Sequence, residues 1–282
     1  MKSFLSFYLT ALVLSFAMLS SCNKNDEAPS LASEEANAMA ENESNRVIQS
    51  VNNTAIGAGL MGSSSDVRDM EDFLPACATV IVDTINSFKT ITIDFGTEPC
   101  LCDEWDNRYR QGIITATWTG AYRDSGTVIT IVTQDYYQGE LPSHMNKFDF
   151  NKTVTNMGHN DNGNLHYAIN VSSAVITLYT GETITWTSQR DREWIEGEPT
   201  LLPFDDKYSI TGSASGTDRL GQPFTFTITN PLIFKFGCPW ITQGTMEIQH
   251  GSNPVATLDY GDGTCDNNAT VTVNGNTYNI EL

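Results

Sequence analysis

An all-β fold, either an antiparallel sandwich or a barrel-like meander, is predicted by three observations on residues 76–282. The first is alternation: Ile91, Ile93 and Phe95 interleave with Thr92 and Asp94, and Ile184 and Trp186 with Thr183, Thr185 and Thr187. Phe224, Phe226 and Ile228 likewise interleave with Thr225, Thr227 and Thr229, and Val271 and Val273 with Thr270 and Thr272. A period of two with threonine on the alternate positions marks strands with one dry and one wet face. The second is punctuation, since about fifteen such runs are parted by turn signals such as Asp124-Ser125-Gly126, Asp161-Asn162-Gly163, Leu220-Gly221 and Asn274-Gly275. The third is that no long amphipathic helix interrupts the runs after Cys77, which argues against a parallel α/β arrangement. A β unit of this length buries roughly 70% of its unfolded surface, enough for a sizeable core.

Ahead of it, residues 1–21 have the parts of an export signal: Lys2 as the positive end, an apolar run from Phe4 to Met18, then small residues. The run is too short for a comfortable transmembrane helix, which needs about 20 apolar residues. Leu19-Ser20-Ser21-Cys22 resembles the lipobox of bacterial lipoproteins. That resemblance implies cleavage before Cys22, acylation of Cys22 by palmitate-type chains, and a stable membrane anchor. Asn23 stands where an inner-membrane retention aspartate would stand, so the resemblance implies the outer membrane. Lys24 with Asp26 and Glu27 is similar to the export signal of Bacteroidota-type surface lipoproteins, which leaves the cell surface and the periplasmic face both open. Residues 22–75 are expected to be an acidic tether. Within it a helix is expected over 33–51, with Ser33 as N-cap, Glu34 and Glu35 in the first turn, and Ala36, Met39, Ala40, Val47 and Val51 as a thin apolar stripe. Gly57, Gly59, Gly62 and the serines that follow end it. Fully flexible, the tether would span roughly 40 Å.

An internal echo runs through the β unit. Thr92-Ile93-Asp94-Phe95-Gly96 with Cys100 matches Thr257-Leu258-Asp259-Tyr260-Gly261 with Cys265 at one constant offset. Each copy has a cysteine upstream, Cys77 and Cys238, and a threonine-alternating run downstream, Thr115 to Gly120 and Thr270 to Gly275. The expectation is two related lobes, near 77–120 and 238–275. Of the six cysteines Cys22 takes lipid, and disulfides persist in exported proteins. The echo predicts Cys77–Cys100 and Cys238–Cys265, and leaves Cys102 to replace Cys100, stay free or pair elsewhere.

Chemistry is sparse. Removal of Lys2 leaves 14 basic against 34 acidic residues, 14 − 34 = −20, a field that repels phosphate backbones and excludes nucleic acid as a partner. Gly212-Ser213-Ala214-Ser215-Gly216 has alanine where a nucleophile elbow has serine and reads as a turn. No zincin, P-loop or dinucleotide motif is present, the four histidines lack paired ligand spacing, and no cofactor is implied. Asp259, Asp262 and Asp266 cluster as calcium ligands would, although Asp94 in the echo favours a turn aspartate. The same stretch resembles a signature of PKD-type β-sandwich repeats over five residues, without the upstream tryptophan of that family. Two segments leave the alternating texture: Leu101 to Gln111 with Trp105, and Arg190 to Glu198 with Arg192, Glu193, Trp194 and Glu196. Rings flanked by hydrogen-bonding charges suit a sugar face or a peptide, so Trp105 and Trp194 are the candidate ligand-binding residues, against the alternative that both pack inward. Glu193 and Glu196 raise glycoside hydrolysis, which needs two acids about 5–10 Å apart across a cleft.

From Cys22 onward, with Arg190-x-Arg192-x-Trp194 and the stretch Asp259 to Asn267, the chain resembles lipoproteins of Bacteroidota-type bacteria. That resemblance supplies an address and no activity. The expectation is a membrane-anchored binding or surface-interaction module for glycan or protein. A carbohydrate-active hydrolase and an accessory subunit of an envelope complex are the alternatives.

Overall fold

The computed structural model describes residues 30–58, 75–84, 89–102, 106–200, 203–251 and 253–282. One helix, α1 (Ala32–Gly57), precedes fourteen strands: β1 (Thr79–Asp83), β2 (Lys89–Asp94), β3 (Cys100–Cys102), β4 (Arg108–Trp118), β5 (Val128–Gly139), β6 (Asn146–His159), β7 (Leu165–Thr177), β8 (Thr183–Glu196), β9 (Lys207–Thr217), β10 (Pro223–Lys235), β11 (Gln243–Gln249), β12 (Ala256–Asp262), β13 (Asn268–Val273) and β14 (Asn276–Glu281). All belong to one antiparallel sheet in which each strand lies beside its sequence neighbour, except that β2 pairs with β4 and β3 adds only to β4. The fold is thus all-β with an N-terminal helix, and the sheet is a single open meander, not a sandwich.

Alternation sets which side of each strand is dry. β8 shows it over fourteen residues, with Ile184, Trp186, Ser188, Arg190, Arg192 and Trp194 all buried and the threonines between them exposed. The sheet bends at register shifts, where an extra residue tightens the local twist. Between β4 and β5 the shift lies at Gly112, whose φ of +88° opposes Asp135 at +45°. A Cβ on Gly112 would strike the Asp135 carbonyl, so only glycine lets the two backbones approach there.

The dry face closes around α1. Along its length the helix meets Asp218, Trp186, Arg190, Lys152 and Asp106, side chains drawn from β4 to β10 and their turns. Twenty of its 26 residues are buried. The expected tether is therefore corrected: residues 32–57 are the inner layer of the β body, and residues 31–282 form one compact unit. The helix also runs longer than 33–51, because Val51 and Ala55 join the apolar core of the sheet. Ser33 is not its cap. Helix α1 starts one residue earlier, from Leu31, and the Ser33 hydroxyl donates to Asp218 Oδ2 at 2.7 Å. Residues 1–29 and 59–74, including Cys22 and most of the remaining tether, lie outside the described residues.

A helix of such low hydrophobicity stays inside because its polar groups find partners on the sheet, which buried polar groups need. Trp186 Nε1 donates to Asn37 Oδ1 at 3.0 Å, and Arg190 Nη2 to Glu41 Oε2 at 2.6 Å. Lys152 Nζ reaches the Ser44 carbonyl at 2.8 Å and its hydroxyl at 2.6 Å. Burial, with Arg192 nearby, holds the Lys152 amine well below the usual lysine range.

The echo is real at the level of hairpins. Asp94 Oδ1 accepts from Gly96 N at 2.8 Å after β2, and Asp259 Oδ1 from Gly261 N at 2.9 Å within β12. Cys77–Cys100 and Cys238–Cys265 each join the residue ahead of one hairpin, β1–β2 or β11–β12, to the chain that follows it. The two copies are stations in one continuous sheet, however, and not two lobes.

Candidate functional site

Helix α1 and the strand ends around its C-terminal half leave a cavity of about 280 Å³. Its floor is the helix face carrying Asn45, Ile48, Asn52 and Asn53. Trp194 and Arg192 enter from β8, Tyr208 from β9 and Phe234 from β10, because all four occupy inward positions of the two-residue period. The β4–β5 turn adds Tyr122 and Arg123, and the 3-10 turn Pro203–Asp205 leads into Asp206.

The rings are fixed by charges. The Arg192 guanidinium lies 4.7 Å from the Tyr208 ring and 5.3 Å from the Tyr167 ring, and its Nη2 donates to Tyr122 Oη at 2.8 Å. Tyr122 stacks on Tyr167 at 5.0 Å. Arg123 sits 4.7 Å over Trp194 while donating to the carbonyls of Glu198 and Thr200 at 2.6 and 2.8 Å, which ties the turn after β8 to the turn after β4. Asp206 accepts from Trp194 Nε1 at 3.2 Å and from Tyr208 Oη at 3.0 Å. Burial pushes the Asp206 carboxyl up to about 6 against these two donors, which pull it down. Burial also raises the Tyr208 phenol well above its usual range.

Three polar atoms on residues lining this cavity are buried without a hydrogen-bond partner: Asn45 Nδ2, Asn53 Oδ1 and Arg192 Nε. Leaving such a group unpaired costs about 1–3 kcal/mol. The lining combines five aromatic rings with the polar side chains of Asn45, Asn52, Asn53 and Arg192, a composition that suits hydroxyls and C–H faces together.

The site residues expected from sequence are placed unevenly. Trp194 is in the cavity wall and buried, not on a surface loop, since Arg190 to Trp194 continue the inward and outward alternation of β8 and a register shift between Trp194 and Glu196 then turns Glu196 outward. Trp105 and Cys22 lie outside the described residues. Glu193 and Glu196 share the outer face of β8: Glu193 accepts from the side-chain amides of Asn160, Asn162 and Asn164, and Glu196 pairs with Lys207 at 2.6 Å. The amides of Asn160 and Asn164 hold Glu193 below the usual carboxylate range, opposite to the raised value that suits a general acid. Gly212 to Gly216 lie inside β9 and are no turn, and a Cβ on Gly212 (φ +122°) would strike the Gln189 carbonyl. Asp259, Asp262 and Asp266 each cap a backbone N–H two residues on, at 2.9, 3.1 and 2.9 Å. Among the described residues the group with metal-ligand spacing is Cys77, Cys100 and Cys102, two of which are bridged. Cys102 is buried with Sγ 3.2 Å from Cys77 Sγ.

Sequence reasoning missed Tyr122, Asp206, Tyr208, Asn45 and Asn53. The available signal was polar spacing: Ser188, Arg190 and Arg192 continue the phase of Ile184 and Trp186, which puts charges on the dry face and demands a polar partner inside. Comparison with protein-family models, with curated proteins and with solved structures finds no match for this chain.

Proposed function

We propose that this chain is a lipid-anchored envelope protein whose β body binds a small, ring-bearing, hydroxyl-rich ligand of the glycan class in the cavity beside the C-terminal half of α1. The observation that carries the proposal is an aromatic-walled cavity whose lining includes Asn45, Asn53 and Arg192, three residues that each keep a buried polar atom without a partner. A cavity of about 280 Å³ suits one sugar ring or the end of a chain, near the lower limit of ordinary ligand sites. Hydrolysis is the weaker reading, because its candidate acids Glu193 and Glu196 have their own partners on the outer face. The address rests on the likeness of Leu19 to Cys22 to a lipobox.

The test is a glycan array followed by calorimetric titration of the hits. Asn45→Ala and Asn53→Ala are expected to weaken binding about tenfold each, the worth of a hydrogen bond of roughly 1.4 kcal/mol, with the melting temperature held. An array without hits, or hits that both variants bind as the parent does, would overturn the reading.

A further inference from the structure

The end of the sheet opposite the cavity carries a second surface. In an antiparallel meander successive turns emerge at alternate ends, so the β5–β6, β7–β8, β9–β10 and β11–β12 turns share one rim. Each presents a large apolar side chain to solvent: Leu141 at 55% exposure, Tyr179 at 57%, Leu220 at 55% and Val255 at 49%. Turns on the same end are two strands apart, roughly 10 Å, so the four make an arc and not a scatter. Single exposed apolar residues are ordinary, whereas an ordered set marks a contact surface. At the other end the β6–β7 turn, Asn160 to Asn164, is polar, and Phe204, the large exposed ring there, packs edge-on against Phe236 of the cavity wall.

Helix α1 begins inside the same rim. His250 bonds Ser33 Oγ and Glu34 Oε1, both at 2.9 Å, from the β11–β12 turn, and Asp218 and Arg219 of the β9–β10 turn hold Ser33 and Glu35. Leu31 is nine positions on from Cys22, a reach of at most about 30 Å fully extended. An acylated Cys22 would therefore keep this end, and not the cavity end, beside the bilayer. On this rim Glu35 pairs with Arg219 at 3.0 Å and Glu140 with Arg108 at 3.1 Å, while Glu182 stands exposed. Tyr179, stacked edge-on with His144 at 4.5 Å, is the residue type that favours the headgroup level.

We propose that this rim rests on the lipid bilayer, with Leu141, Tyr179, Leu220 and Val255 in the interfacial layer and the cavity held away from it. The proposal rests on lipidation at Cys22, which intact mass of the envelope-extracted chain reads separately. The test is hydrogen exchange of the acylated full chain in phosphatidylcholine vesicles against the same chain in detergent-free buffer with Cys22→Ser. Slowed exchange confined to residues 139–146, 177–183, 217–223 and 249–256, with 160–164 unchanged, is expected. Its loss in a chain carrying Leu141→Ser, Tyr179→Ser, Leu220→Ser and Val255→Ser completes the expected result. Vesicle flotation of the Cys22→Ser chain should fall about tenfold or more with the same four changes. An acylated chain whose rim exchanges as in buffer overturns the docking, as does rim protection that appears without vesicles and rises with protein concentration, which would mean self-association. A chain without lipid on Cys22 refutes the anchor alone, and the flotation of the Cys22→Ser chain still decides the rim.

Discussion

Lys152 shows how one residue can carry both specificity and cost. Its ammonium form is disfavoured by burial, and the two bonds to Ser44 compensate only part of that. Because its folded pKa lies below the unfolded one, the contribution of Lys152 to stability is least unfavourable above about pH 10.4 and worsens as pH drops from there. Lys152→Met should therefore stabilise the chain by about 1–2 kcal/mol at pH 7 in urea denaturation, with the gain shrinking toward pH 10.5. A constant gain across that range would show that the amine is not desolvated. Asp206 works in the opposite sense. Its raised carboxyl binds its proton more tightly in the folded state, so it favours folding below about pH 4 and disfavours it progressively up to about pH 6. Asp206→Asn should remove that slope, which thermal melts at pH 4 and pH 7 read directly: the variant gains on the wild type between the two.

Helix α1 is the element on which the architecture turns, and it was only half legible in the sequence. Its existence follows from Glu34 and Glu35 at the start and a weak apolar stripe, and its glycine end is marked. Its burial was hidden, because Asn37, Glu41, Glu43, Ser44 and Arg46 read as a solvated face. The partners of Asn37, Glu41 and Ser44 lie more than a hundred residues away on the sheet, and no local pattern encodes that distance. The strands were legible for the converse reason: period two is local, and it predicted the dry side of β2, β8, β10 and β13 correctly. It misled at Arg190 to Glu196, where charge looked like a loop. Two outcomes belong to this scale. Glu41→Ala strands Arg190 in the interior and should cost about 3–5 kcal/mol, read by denaturant midpoint. Deletion of residues 32–57 should abolish cooperative unfolding altogether, whereas a mere tether could be removed without effect.

For the whole molecule, two staples and a helix substitute for closure of the sheet. Cys238–Cys265 closes a separation of 27 residues, for which chain entropy assigns about 3–4 kcal/mol. Cys238→Ser with Cys265→Ser should lower stability by that order, read by the denaturant midpoint, and should loosen the cavity end, where Cys238 follows Phe236 of the wall. The cysteine pairs were legible from the echo, and the cavity was not, since it exists only where α1, β8, β9 and β10 converge. Polarity along the long axis then connects the parts: an apolar rim surrounds the start of α1, and a polar, aromatic cavity surrounds its C-terminal half. The most direct measurement of whether that cavity is a binding site is the side-chain amide NMR of Asn45 and Asn53 during titration with a bound glycan. Both amide pairs are expected to shift and saturate together, with the amides of Asn160, Asn162 and Asn164 on the outer face unmoved. Saturating shifts on the outer face with Asn45 and Asn53 silent would contradict the account.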